Sequence, residues 1–208
     1  MSQLWDISPP VREGTPVFPG DTPYRQRWSA EIAPGCPVNV SAITLSPHVG
    51  AHADAPLHYD PQGAAVGALD LGPYLGPCRV IHAIGVRPLV LWEHLAHATQ
   101  DLPSRVLVRT YARMPVDAWD AQLAAFAPDT VERLADAGVQ LIGIDTASID
   151  PADSKPLPSH QVIRRRGLRV LENLVLDAVP EGDYELIALP LKLMTADASP
   201  VRAVLRRS

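Results

Sequence analysis

Cysteine is nearly absent from this 208-residue chain, and what little there is builds nothing obvious. Cys36 and Cys78 are far apart and fit no Cys-x-x-Cys pattern. A disulfide framework is therefore not expected, and a reduced, cytoplasmic setting is. Long apolar runs are missing too. None approaches the ~20 residues needed to span a bilayer, so no membrane partner is expected. The opening MSQLWDISPP has no basic segment followed by an apolar run, which argues against a signal peptide. Positive charge is not in excess: the formal net charge is -5 and the pI about 5.8. That argues against nucleic acid or an anionic membrane as the main partner. No repeat, low-complexity tract or linker divides the chain, and its length suits one domain with a buried core, so a single domain over residues 1–208 is expected.

Proline is what the chain has in excess, at 22 residues. So many prolines disfavour a helix bundle and favour strands joined by shaped loops. Strands are expected at 3–7, 38–45, 78–84, 104–110, 139–145, 184–193 and 201–207, from β-branched and apolar patterning. Helices are expected at 88–96 and 117–126. Another runs from a cap at Asp129 or Thr130 to Ala137, stopped by Gly138, and a short one from Ser159 to Arg165, ended by Gly167. Helix followed by buried strand is the α/β pattern. Residues 9–23, P-P-V-R-E-G-T-P-V-F-P-G-D-T-P, form a long loop of the kind that often carries function. Its one large apolar side chain, Phe18, either plugs the core or forms an aromatic pocket wall.

The stretch with most chemistry is residues 46–60, S-P-H-V-G-A-H-A-D-A-P-L-H-Y-D. His48, His52, Asp54 and His58 fall within eleven residues, and no Lys or Arg lies among them. Imidazole and carboxylate suit zinc, manganese or ferrous iron. Pro47, Gly50 and Pro56 rule out one continuous helix through the cluster. A strand would put His52, Asp54 and His58 on one face. A single helical turn could instead join His48 to His52, with Asp54 entering from an extended segment.

Further candidates lie downstream. Asp145, Thr146, Ser148 and Asp150 follow an expected buried strand, where loops commonly carry function. Glu172 sits within the apolar R-V-L-E-N-L-V-L. Burying a carboxylate there is costly unless it is paired or binds a cation, so Glu172 is either a ligand or the surface residue of a helix. His82 reads as a core or edge residue, and His94 and His97 as a solvated face. Arg164, Arg165 and Arg166 read as a solvated charge run. The residues alone leave several chemistries open: a structural zinc site, a two-histidine, one-carboxylate iron site, or metal-assisted hydrolysis. With His160 and Glu172 included, the inventory suits two metals with carboxylates between them.

Several stretches carry a resemblance. They are D-I-S-P-P, P-V-F-P-G-D-T-P, L-S-P-H-V-G-A-H-A-D-A-P-L-H-Y-D, L-I-G-I-D-T-A-S-I-D-P, the Ser159-His160 pair and L-E-N-L-V-L-D-A-V-P-E-G-D-Y-E-L-I-A-L-P-L-K-L. In these the chain resembles the kynurenine formamidase (arylformamidase) family, a branch of the cyclase-like metal-dependent hydrolases. The resemblance implies an α/β fold of swivelling β/β/α type, with a mixed central sheet or barrel-like core and flanking helices. It also implies a homodimer and two Zn2+ per subunit, with Mn2+ as an alternative. His48 and His52 would ligate one metal, Asp54 and Glu172 would bridge, and His160 would ligate the second. His58 would be the general acid/base. Phe18 would contact substrate where the family usually has Trp, keeping the aromatic wall and losing the indole N–H. The implied reaction is hydrolysis of N-formyl-L-kynurenine to L-kynurenine and formate in tryptophan breakdown, by attack of metal-activated water.

Overall fold

A strand that is apolar on both sides is stable only where both faces of its sheet are covered. V-L-V at 106–108, L-I-G-I at 141–144 and V-L at 170–171 lie side by side in the computed structural model, which describes residues 3–207. Met1, Ser2 and Ser208, the ends of the expected 1–208 domain, lie outside the described residues. In chain order the strands are β1 (Gln3–Asp6), β2 (Arg25–Ala30), β3 (Val40–Thr44), β4 (His52–Asp54), β5 (Leu75–His82), β6 (Leu89–Val90), β7 (Arg105–Arg109), β8 (Ala125–Phe126), β9 (Leu141–Ile144), β10 (Arg169–Glu172), β11 (Gly182–Ile187), β12 (Ala198–Pro200) and β13 (Val204–Arg207). The α-helices are α1 (Pro56–Tyr59), α2 (Trp92–Leu95), α3 (Pro128–Asp136) and α4 (Pro158–Arg166).

Nine strands form one mixed sheet in the order β1-β13-β11-β5-β7-β9-β10-β4-β12. Its centre, β5-β7-β9-β10, is parallel, and both wings are antiparallel. The period of two along the central strands divides two cores. Ile81, Val106, Val108, Ile142, Ile144 and Val170 point one way, against Val131 and Leu134 of α3 and Val162 and Ile163 of α4. Val80, Leu107, Leu141 and Leu171 point the other way, where they meet Ala53 of β4 and Leu186 and Leu205 of β11 and β13. Residues from opposite wings share that second cluster, so the sheet is curled around it. This is the mixed α/β architecture expected, with a barrel-like core and flanking helices.

Some elements differ from the sequence reading. Residues 117–126 form turns and the short β8, not a helix. Ala125 and Phe126 pair in parallel with Leu89 and Val90, while the Asp120 carboxylate takes bonds from Arg87, the Tyr111 hydroxyl and the Gln122 amide. Arg87, Tyr111 and the β6 backbone, all outside the segment, outweigh its local helical pattern. Pro128 opens α3 at its first position instead of ending a helix before it. The 88–96 stretch splits into β6 and the four-residue α2. β11 stops at Ile187, short of the expected 193. Ser159 does not cap α4; Leu157 precedes the helix, and the Ser159 hydroxyl donates to the Phe126 carbonyl at 2.8 Å. β2 and β12 were not anticipated. Among the described residues β2 pairs only with β3, and it has no deeply buried face.

Candidate metal centre

The site is assembled by strand register. β4 lies between β10 and β12, antiparallel to both. His52 and Asp54 are two residues apart, so they share a face of β4. Glu172 stands directly opposite His52 across the β10 pairing. A helix surface for Glu172 is therefore excluded: it is a strand residue and 3% exposed. His48 lies in the turn before β4. His58 is not on the strand with His52 and Asp54; Pro56 starts α1 and carries His58 onto that helix. His160 comes from the first turn of α4, which packs against α1.

The side chains converge as the sequence suggested. One Asp54 oxygen, Oδ1, lies 3.1 Å from His48 Nδ1 and 3.6 Å from His52 Nε2. The other, Oδ2, lies 3.4 Å from His160 Nε2. Glu172 likewise offers one oxygen to each side, Oε2 at 3.2 Å from His52 Nε2 and Oε1 at 3.6 Å from His160 Nε2. Oδ1 of Asp54 is fully buried yet makes no hydrogen bond, although two imidazole nitrogens face it. His52 Nε2 and His160 Nε2 each share a hydrogen bond with a carboxylate oxygen, at 3.2 Å to Glu172 and 3.4 Å to Asp54, and the remaining orphan oxygen beside imidazole nitrogens suits a cation. The groups His48–His52–Asp54, Asp54–His58–His160 and His48–His58–Asp197 each bring one ligand atom per residue within 4.8 Å of the others.

The far nitrogen of each buried imidazole is also fixed. His52 Nδ1 donates to the Gly50 carbonyl at 2.8 Å. His160 Nδ1 meets Asp150 Oδ2 at 2.7 Å, and Asp150 further accepts the backbone N–H groups of Ser159 and His160. His48 Nε2 lies 3.1 Å from Asp197 Oδ2. Outer acceptors of this kind set the tautomer and aim the inner nitrogen at a metal.

Charge follows from this packing. Burial alone would push His160 down, but the carboxylates of Asp150, Asp54 and Glu172 outweigh it and raise it to about 10. Burial also opposes protonation of His48, and Asp54 with Asp197 raises it to about 9. Asp54 is held well below the usual carboxylate range: burial pushes it up, and the imidazoles of His160 and His48 overcome that.

Above the cluster is a cavity of about 320 Å3. His48, His52, His58, His160 and Glu172 line its floor, and Phe18, Tyr111, Met114, Trp119 and Leu123 its walls. Phe18 does not plug the core. It is 46% exposed and meets Trp119 edge-on, with ring centroids 5.2 Å apart. The sequence reading missed Trp119 and Asp197, and it named Asp150 only as a strand-end residue. Trp119 lay in the misread helix, and A-D-A-S-P around Asp197 carries no local signal. His82, His94 and His97 stay outside the cluster, and the Arg164–166 run is paired at the surface with Asp60, Glu132 and Asp136.

The Cyclase family model matches residues 5–151. The kynurenine formamidase of Paracidovorax citrulli is 77% identical over 207 residues, covering 98% of this chain and 96% of that protein. The kynurenine formamidase of Bordetella pertussis is 68% identical over 206 residues, covering 99% of each. A solved structure described as a potential metal-dependent hydrolase with cyclase activity superposes with a TM-score of 0.87 at 29% identity, covering 100% of both chains.

Proposed function

The chain belongs to the Cyclase family and to its kynurenine formamidase branch, and from that premise we propose that it hydrolyses N-formyl-L-kynurenine to L-kynurenine and formate at the His/Asp/Glu cluster. The observation that carries this reading is the cluster's geometry at the floor of an aromatic-walled cavity. Two buried carboxylates each direct one oxygen to one imidazole group and one to another, and Asp54 Oδ1 is left without a hydrogen bond.

These residues fit divalent metal. His48 and His52 would hold one ion and His160 the second, with Asp54 and Glu172 shared between the two. Bound there, divalent ions lower the pKa of a ligated water and polarise a carbonyl oxygen. The chain's own residues do the remainder. Phe18 and Trp119, packed edge-on against each other, form one aromatic wall against which the aryl ring packs, with the formyl group toward the cluster floor. His58 stands beside that floor and moves the proton from the attacking water to the departing aryl nitrogen. The test is release of L-kynurenine from N-formyl-L-kynurenine, measured beside metal content before and after a chelator. Activity that survives complete metal removal would sink the reading.

We extend the reading to Zn2+ as the ion, two per subunit, with Mn2+ as the alternative, and to a cytoplasmic setting. No helix among the described residues is long and apolar enough to cross a membrane. A homodimer is part of the same reading, supported by Trp28, Val40 and Ile43, apolar and exposed on β2 and β3. Light scattering at the mass of a monomer would remove it.

Metal loading should release protons. In the metal-free chain His48 and His160 are raised to about 9 and about 10, so both are protonated at pH 7. A ligand nitrogen must give up that proton, so binding releases about two protons at pH 7 and tightens as pH rises. Calorimetry of Zn2+ binding in two buffers of different ionisation enthalpy reads this directly. Equal heats in both buffers would show that His48 and His160 are not protonated before metal binds.

A further inference from the structure

We propose that Asp197 is the positioning residue for His58, fixing the tautomer and direction of the proton-transferring imidazole while steadying His48 with the same oxygen. The proposal rests on the formamidase reading of the cluster and adds to it a residue more than a hundred positions away from His58 in sequence.

Register puts Asp197 there. In the β4–β12 pairing Ala198 stands opposite Asp54, so Asp197 falls opposite Ala55, the residue before α1. Its own carbonyl accepts the Ala55 N–H at 2.8 Å, and the Ala196 carbonyl accepts the Val66 N–H at 2.9 Å. Pinned on both sides, the Asp197 side chain lies between the His48 turn and α1. Oδ2 is 3.1 Å from His48 Nε2 and 3.1 Å from His58 Nδ1.

A carboxylate can only accept, so both of those ring nitrogens are donors. In the metal-loaded protein His48 would keep the proton on Nε2 and give up the one on Nδ1, the atom 3.1 Å from Asp54 Oδ1. His58 is left with Nε2, which has no hydrogen-bond partner among the described residues, on a ring that lines the cavity. The two rings lie 4.3 Å apart at 48°. One oxygen therefore sets both the tautomer of His58 and its distance from the metal side of the site. Nε2 accepts a proton from the attacking water and returns it to the aryl nitrogen as the C–N bond breaks. While His58 holds both protons, the Asp197 carboxylate lies against the positive ring.

The competing arrangement is a metal held by His48, His58 and Asp197. It would make His48 Nδ1–H a donor to Asp54 and take Asp54 out of the ligand set, although Asp54 is the buried carboxylate that faces His48, His52 and His160 together. The structure places the unsatisfied ligand atom at Asp54, and the hydrogen-bonded one at Asp197, whose side chain is 40% exposed.

The experiment compares Asp197→Ala and Asp197→Asn with the parent, all loaded with Zn2+. Asp197→Ala should lower kcat by at least about 10-fold and by no more than the 10²–10⁴-fold that the proton-transfer residue itself contributes, with KM and metal content little changed. Added to His58→Ala, it should cost almost nothing more. Imidazole 15N spectra should show His58 protonated on Nδ1 in the parent and shifting toward Nε2–H in Asp197→Ala, with Asn intermediate. Unchanged kcat, lost metal, an equal loss in the His58→Ala background or an unchanged tautomer would each overturn the proposal. If the parent failed to hydrolyse N-formyl-L-kynurenine, the formamidase reading would fall, and the spectra would still decide the role of Asp197.

Discussion

Replacing His58 with alanine should leave the metal bound and lower N-formyl-L-kynurenine hydrolysis by about 10²–10⁴-fold, the usual contribution of a positioned proton-transfer group. The location of His58 is the reason for expecting metal to stay. Its side chain is 33% exposed, whereas His52, Asp54, His160 and Glu172 are almost wholly buried. Its Nδ1 is committed to Asp197. The fold should tolerate the change: alanine is the best helix former, α1 keeps Pro56 at its first turn, and Tyr59 remains buried beneath it. His58 does, however, come within ligand range of Asp54 and His160. Metal content is thus the deciding measurement. A variant that loses an ion together with its activity makes His58 a ligand and removes its assignment as proton carrier.

Changing Glu172 to glutamine should produce the opposite result, a folded protein that binds metal poorly. Glutamine can keep its carbonyl on the Ile149 N–H, which Glu172 Oε1 now accepts at 2.7 Å. Its amide nitrogen then stands where Oε2 faces His52, and an amide N–H₂ offers no lone pair to a metal. Loss of an outer hydrogen-bond partner alone typically costs 10–100-fold in metal affinity, so loss of a bridging oxygen should cost at least about 100-fold. Far-UV circular dichroism should be unchanged. The thermal stabilisation that added Zn2+ confers by mass action should largely vanish. If two ions per chain survive dialysis, the bridging role of Glu172 is wrong.

Both predictions follow from side chains that are close in space and far apart in the chain, and the sequence disclosed them unevenly. β7 and β9 were legible because V-L-V and L-I-G-I are buried on both faces and need nothing but composition to be recognised. The 117–126 segment was misread because its alternation of small, polar and apolar residues also suits a helix. Its structure is decided by Arg87, Tyr111 and the β6 backbone, none of which is local. β2 escaped notice because a strand without a deeply buried face leaves no alternating pattern. In the site, His48, His52, Asp54 and His58 announced themselves by crowding. Trp119 and Asp197 had no such signal.

Ligand chemistry is local, so the sequence by itself determined that imidazoles and carboxylates would gather without competing cations at residues 46–60. It also marked Glu172 as a carboxylate that must be paired or bound. Only the tertiary structure decided which of these side chains meet. The register of β4 between β10 and β12 sets Glu172 opposite His52 and brings Asp197 beside His58. Pro56 turns the chain from strand to helix and carries His58 away from the strand that holds His52 and Asp54. Register is fixed by which side chains the two cores bury, a property of the whole sheet, and no segment read alone contains it.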